Sequence, residues 1–149
     1  MHYTDGYEFV ANHSGPRYDV VVIDLPDERT EPAQHNRLYG ADFMKLCGDI
    51  GAVVVGQAGC PTLWRNETLI RSWERFGETF STTVYFGSDE HEWAFLSGTA
   101  DPVEEPLATM TARLETLPYR CQTIDAESLA AALTPPISLR ENTIASANP

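Results

Sequence analysis

Two aspartates, Asp24 and Asp27, stand either side of Pro26 immediately after an apolar run. One carboxylate of such a pair can take a proton from an attacking amine while the other holds a cationic group. The same residues also suit a turn, because aspartate readily bonds nearby backbone. Spacing alone leaves both readings open. Gln57 ends a second apolar run, and Asp5-Gly6, near the start of the chain, could close a further strand of which little is present. In open α/β sheets ligands lie beyond the carboxyl ends of the strands. Asp5, Asp24, Asp27 and Gln57 are therefore the candidate site residues.

The elements that would position them follow from the pattern of apolar residues. Tyr18-Asp19-Val20-Val21-Val22-Ile23-Asp24 contains four consecutive branched apolar residues without polar alternation. That pattern predicts a parallel strand buried on both faces. Residues 28–37 are polar, hold Pro32 and read as a loop. A helix is predicted from Leu38 to Leu46, with Gly48 placed to end it. Gly51 to Gln57 reads as a second buried strand, and Thr62 to Phe76 as a helix with Leu63, Leu69, Ile70, Trp73 and Phe76 as its apolar residues. Thr82–Phe86 and Glu92–Leu96 read as two strands joined by a short link, Gly87-Ser88-Asp89-Glu90. Weaker helical patterns cover Glu105–Leu117 and Ala126–Leu133. Strand, helix, strand, helix and hairpin predict an α/β doubly wound sheet with helices on both faces and a terminal antiparallel hairpin.

Bulk properties narrow the functions. The 149 residues suffice for one domain with a core. Twenty-two acids against 10 bases give a net charge of −12, which disfavours nucleic acid and weakly favours cationic ligands, or serves solubility alone. No apolar run approaches the roughly 18–20 residues of a membrane span. The first residues lack the basic cluster of a signal peptide, so a soluble cytoplasmic protein is expected. Cys47, Cys60 and Cys121 show no paired spacing, and His2, His13, His35 and His91 form no HxxxH pair, so no metal site is expected. Trp64, Trp73 and Trp93 read as packing residues, and His91 and Glu92 as part of a solvated turn. Arg65, Arg71 and Arg75 read as a solvent-facing helix flank paired with Glu67, Glu74 and Glu78.

Four segments in order carry a resemblance. Tyr18 to Asp27 (YDVVVIDLPD) is similar to the YDVI-x-x-D-x-x-D-P segment of the polyamine aminopropyltransferases, the spermidine and spermine synthases, and its DLPD form looks most like the bacterial branch. Upstream, Asp5 to Val10 resembles the family's G-D-[AG]-x-x-[FY] element. Downstream, Gly51 to Pro61 resembles G-V-L-V-x-Q-x-x-S-P, and His91 to Leu96 resembles the final G-x-W-G-F strand. The resemblance implies a partial Rossmann-like sheet of the class I methyltransferase type. It also implies transfer of an aminopropyl group from decarboxylated S-adenosylmethionine, a co-substrate rather than a tightly bound cofactor, to putrescine or a similar amine. Asp24 would accept the amine proton, Asp27 and Gln57 would bind the diamine, and Asp5 would bond the adenine amino group.

The chain departs from that pattern in specific places. It has no GxGxxG or GGGxG loop and no ribose-binding acid. Thr4 stands where the family has glycine, Glu28 where it has proline, and Tyr85 is not matched to the diamine-pocket tyrosine. The strand ending at Asp24 is therefore expected to lack its neighbour on one side and to stand at the sheet's edge. Residues 1–139 are expected to form a partial catalytic domain without the glycine-rich half, inactive alone, followed by a flexible tail at 140–149. The partners implied are a small-molecule amine and either a second copy or a chain supplying the missing strands. A methyltransferase-like fragment with a different substrate and a non-enzymatic interaction module are the alternatives.

Overall fold

Gly51–Gly59 (β2), rich in valine and alternating in burial, forms the centre of a four-stranded sheet. In the computed structural model, which describes residues 3–62, 65–88 and 92–140, the strand order is β1-β2-β4-β3. Tyr18–Ile23 (β1) pairs parallel with β2, with Val20 beside Val53 and Val22 beside Val55. Trp93–Thr99 (β4) runs antiparallel to both β2 and Thr82–Ser88 (β3), between which it is inserted. The expected hairpin is thus present. Its predicted link falls partly on residues 89–91, outside the described residues, as do Leu63, Trp64, His91 and the tail beyond Arg140.

Helices Ala41–Ile50 (α2) and Glu67–Thr79 (α3) cover one face of the sheet. Phe43, Met44 and Cys47 of α2 and Leu69 and Phe76 of α3 pack with Val54, Ala58 and Leu96 in a closed core. At Gly98 a Cβ would stand 2.3 Å from the ring of buried Phe80, so the absence of a side chain lets that ring lie against β4. Burial raises the Cys47 thiol to about 12. Two further helices, Pro106–Glu115 (α4) and Ala126–Ala132 (α5), lie on the opposite face beside β3. Asp125 and Ser128 form a reciprocal capping box that starts α5 and holds the Asp125 carboxyl below its usual range.

Several predicted boundaries are corrected. The β1 strand is not buried on both faces: Val20 is 51% and Val22 69% exposed. It is the outer strand, and α4 and α5 reach only the other end of the second face, so among the described residues one side of its valines has no cover. The α2 helix runs through Gly48, where the Phe80 ring takes the place of a side chain. The polar stretch read as loop contains a 3-10 helix, Gln34–Tyr39. The α3 helix begins at Glu67 rather than Thr62. A short helix at Gly6–Ala11 (α1) precedes β1; its Asp5 cap and Glu8 three residues on are the start signal that was legible. Among the described residues no helix is long and apolar enough to cross a membrane.

Candidate functional site

The parallel register aligns the carboxyl ends of β1 and β2, and two of the candidate residues come together there. Asp24 follows Ile23 at the end of β1, and Gln57 lies near the end of β2. Both line a cavity of about 340 Å³ whose walls are Val22, Val55, Trp93 and Phe95. Gln57 is paired with Phe95 across the ladder, which sets both on the same face of the sheet. The β2–β4 register then shifts between Gln57 and Gly59. Such an irregularity bends a strand and re-aims the side chains beside it. Gly59 sits at φ +88°, a conformation glycine adopts without steric cost.

Trp93 and Phe95 are the wall residues that sequence reading missed. Trp93 is 46% and Phe95 39% exposed, while Ala94 and Leu96 between and after them are buried. The run Trp93-Ala94-Phe95-Leu96 is wholly apolar, so the sequence carried no polar alternation to tell which face would be covered; strand geometry sets Trp93 and Phe95 on one face. Trp73, by contrast, packs against the core as expected. Glu92, read as part of a solvated turn, is exposed at φ 52°.

Asp27 lies elsewhere. It lines a separate cavity with Glu28, Arg29, Arg65 and Arg71, and its Oδ1 would be 3.6 Å from a Cβ at Gly59. The two aspartates thus border different hollows. Asp5 caps α1: its Oδ1 accepts from the backbone N–H groups of Tyr7 and Glu8 at 3.0 and 3.2 Å. Its other oxygen accepts from Arg37, whose guanidinium also lies over the Tyr7 ring. Asp5 therefore begins a helix and closes no strand. Its neighbour Gly6 shares with Asp24 an apolar hollow of about 410 Å³ along the free edge of β1, floored by Phe43, Cys47 and Ile50.

The loop that carries both aspartates is tied down at three points. The Tyr39 hydroxyl donates to the carbonyls of Pro26 at 2.5 Å and Leu25 at 3.4 Å. His35 Nε2 is 3.3 Å from the Asp27 carbonyl. Glu28 accepts from Arg71 at 3.1 Å and from both terminal nitrogens of Arg75 at 2.9 and 3.0 Å. Arg71 and Arg75 were expected to pair within their own helix; their ion pairs among the described residues reach across to the loop instead. Burial pushes Glu28 upward, but Arg75 and then Arg71, each bonding and attracting the carboxylate, outweigh it and hold the group below its usual range. Burial, followed by the charges of Asp27, Glu28 and Asp24, raises the Tyr39 phenol to about 12. Acidic and basic groups are thus interleaved around this loop, with Glu28 neutralised by its two arginines.

No family model and no curated protein sequence matches the chain. Solved structures do. A spermidine synthase in complex with the transition-state analogue AdoDATO superposes with a TM-score of 0.71 at 15% identity, over 91% of this chain and 47% of the other. The spermidine synthase from Thermotoga maritima gives 0.68 at 15% identity, over 93% and 47%. The chain spans about half the length of these two proteins. The likeness is one of fold: a mixed α/β sheet with flanking helices and a closing antiparallel strand, the methyltransferase-like fold of the spermidine synthases.

Proposed function

We propose that this chain forms the amine-binding part of an aminopropyltransferase-like site. The observation that carries the reading is the juxtaposition of Asp24 and Gln57 with Trp93 and Phe95 in one small cavity at the strand ends. A primary amine on a short methylene chain needs an anion for its charged end and apolar walls for its stem. Asp24 would hold and then deprotonate the attacking nitrogen, and Gln57 would bond the amine or its chain. Nucleophilic attack by the neutral amine on the propyl carbon beside the sulfonium would form the new C–N bond as the C–S bond breaks. The sulfur would leave as a neutral thioether, and the product nitrogen would carry the positive charge as a secondary ammonium. Such a reaction gains chiefly from alignment and deprotonation.

Asp27, proposed with Gln57 as a diamine-binding residue, borders another cavity, and its backbone is held by His35 in a loop that Tyr39 also fixes. Decarboxylated S-adenosylmethionine is the co-substrate proposed, in keeping with the AdoDATO bound to a neighbour of the same fold. Asp5 is proposed as its adenine partner, although Arg37 and the α1 backbone already engage its carboxylate. Aminopropyl transfer would also need a cofactor-binding glycine loop, which the sequence does not contain.

Calorimetric titration with putrescine tests the amine site directly. Wild-type protein is expected to bind putrescine saturably, and Asp24→Asn to weaken it at least tenfold with its folded spectrum unchanged. Equal affinity of the two proteins would remove Asp24 from the site. The uncovered valines of β1 favour one second reading, an interaction module that docks through its free edge. Size-exclusion with light scattering separates the two, because a monomer that binds putrescine supports only the first.

A further inference from the structure

A larger hollow lies on the second face of the sheet, beside the Asp24–Gln57 cavity on that same face but with its own lining residues: Phe86 of the one pairs with Phe95 of the other. Its volume is about 570 Å³, within the range of small-molecule pockets. The floor is formed by Val53, Val84 and Phe86 of the sheet, and the roof by Met110 and Leu114 of α4. Leu129 of α5, buried, closes one end.

The α4 helix makes this hollow unusual. It presents Met110, Leu114 and, just beyond its end, Leu117 at helical spacing toward the sheet, yet none of its residues is buried. An apolar stripe facing an apolar sheet ordinarily closes to the density of a protein interior. Here it stands off with a gap between.

The polar groups around the gap are mostly committed within the protein. Thr82 Oγ1 accepts from the Val103 N–H at 2.8 Å, Thr99 Oγ1 donates to the Asp101 carbonyl at 2.7 Å, and Thr109 Oγ1 to that of Glu104 at 3.5 Å. Among the described residues the only charged side chain lining the hollow is Arg113, which forms no ion pair with them. Among the described residues no carboxylate lines it, so a cationic ligand would find no partner in them. An apolar body with one anionic end matches both the walls and the guanidinium, which binds carboxylates in a planar fork.

We infer that the hollow between α4 and the sheet is a binding site for an amphiphilic monoanion with a linear apolar tail, such as a medium-chain carboxylate, its head on Arg113 and its tail over Val84 and Phe86. The test is calorimetry of the full chain with decanoate and decan-1-ol below their aggregation limits. Saturable one-to-one binding of decanoate is expected, with decanol at least tenfold weaker. Arg113→Gln, a surface substitution that leaves the core untouched, should reduce decanoate to the level of decanol. Met110→Trp, which fills the gap, should abolish binding of both. Absence of saturable decanoate binding by the folded wild-type chain would overturn the inference. So would equal affinity of decanoate for wild type and Arg113→Gln, or equal affinity of wild type for acid and alcohol.

Discussion

Replacing Glu28 by glutamine keeps the size of the side chain and removes the charge that Arg71 and Arg75 share. The wild-type carboxylate accepts three hydrogen bonds, two of them from Arg75 in a fork. The Glu28 side chain is 14% exposed, with Arg75 at 26% and Arg71 at 35%. A fully buried charged hydrogen bond contributes about 1.5–3 kcal/mol, and an exposed ion pair under about 1 kcal/mol. This cluster lies between those limits, and glutamine retains one acceptor, so Glu28→Gln is expected to cost about 1.5–2.5 kcal/mol at neutral pH. The pH dependence follows from the direction of the Glu28 shift. Its folded value lies below the ordinary 4.5, so the contribution is full above that value and is lost as pH falls through the lower, folded one. Urea unfolding of both proteins followed from pH 7 to about pH 3 should give a constant gap that narrows only below 4.5. A gap at pH 7 below about 0.5 kcal/mol, the usual range for an ordinary surface change, would show that the cluster does not hold the loop. A gap that persists unchanged at about pH 3 would show that the charge is not its cause.

Gly98→Ala is expected to cost about 1–3 kcal/mol by forcing the Phe80 ring off β4. Adding Phe80→Leu should make the double variant less destabilised than the sum of the singles, as thermal unfolding would record. In a thiol titration with a disulfide reagent at about pH 8, Cys121 should react first, while buried Cys47, raised to about 12, and buried Cys60 react only on denaturation. Val22→Lys should change stability by less than about 0.5 kcal/mol, because that side chain is 69% exposed. If β1 mediates self-association, the same change should reduce it in light scattering at high concentration.

The resemblance of four short segments anticipated a fold that no overall sequence match reaches. It could do so because those segments coincide with the strand ends of β1 and β2, the first turn of α1 and strand β4. These are places where backbone geometry restricts residue type most. The loop between them was less legible. Nothing in the local pattern of residues 28–37 signals that Glu28 would reach Arg71 and Arg75, or that Tyr39 would bond the carbonyls before Asp27. Those partners are brought together only when α2 and α3 pack side by side.

The amino-acid pattern by itself determined the alternation of β and α, the parallel pairing implied by its valine runs, the hairpin, and the placing of Asp24 and Gln57 at strand ends. Each of these depends on neighbours within a few residues or on a simple period. Only the tertiary structure decided that Asp24 shares a cavity with Gln57 while Asp27 borders another, and that Trp93 and Phe95 wall the first. It also decided that β1 lies at the edge, with Val20 and Val22 uncovered. An apolar run states only that its side chains avoid water where they can. Which face is covered depends on what packs there, and that is a property of the whole sheet.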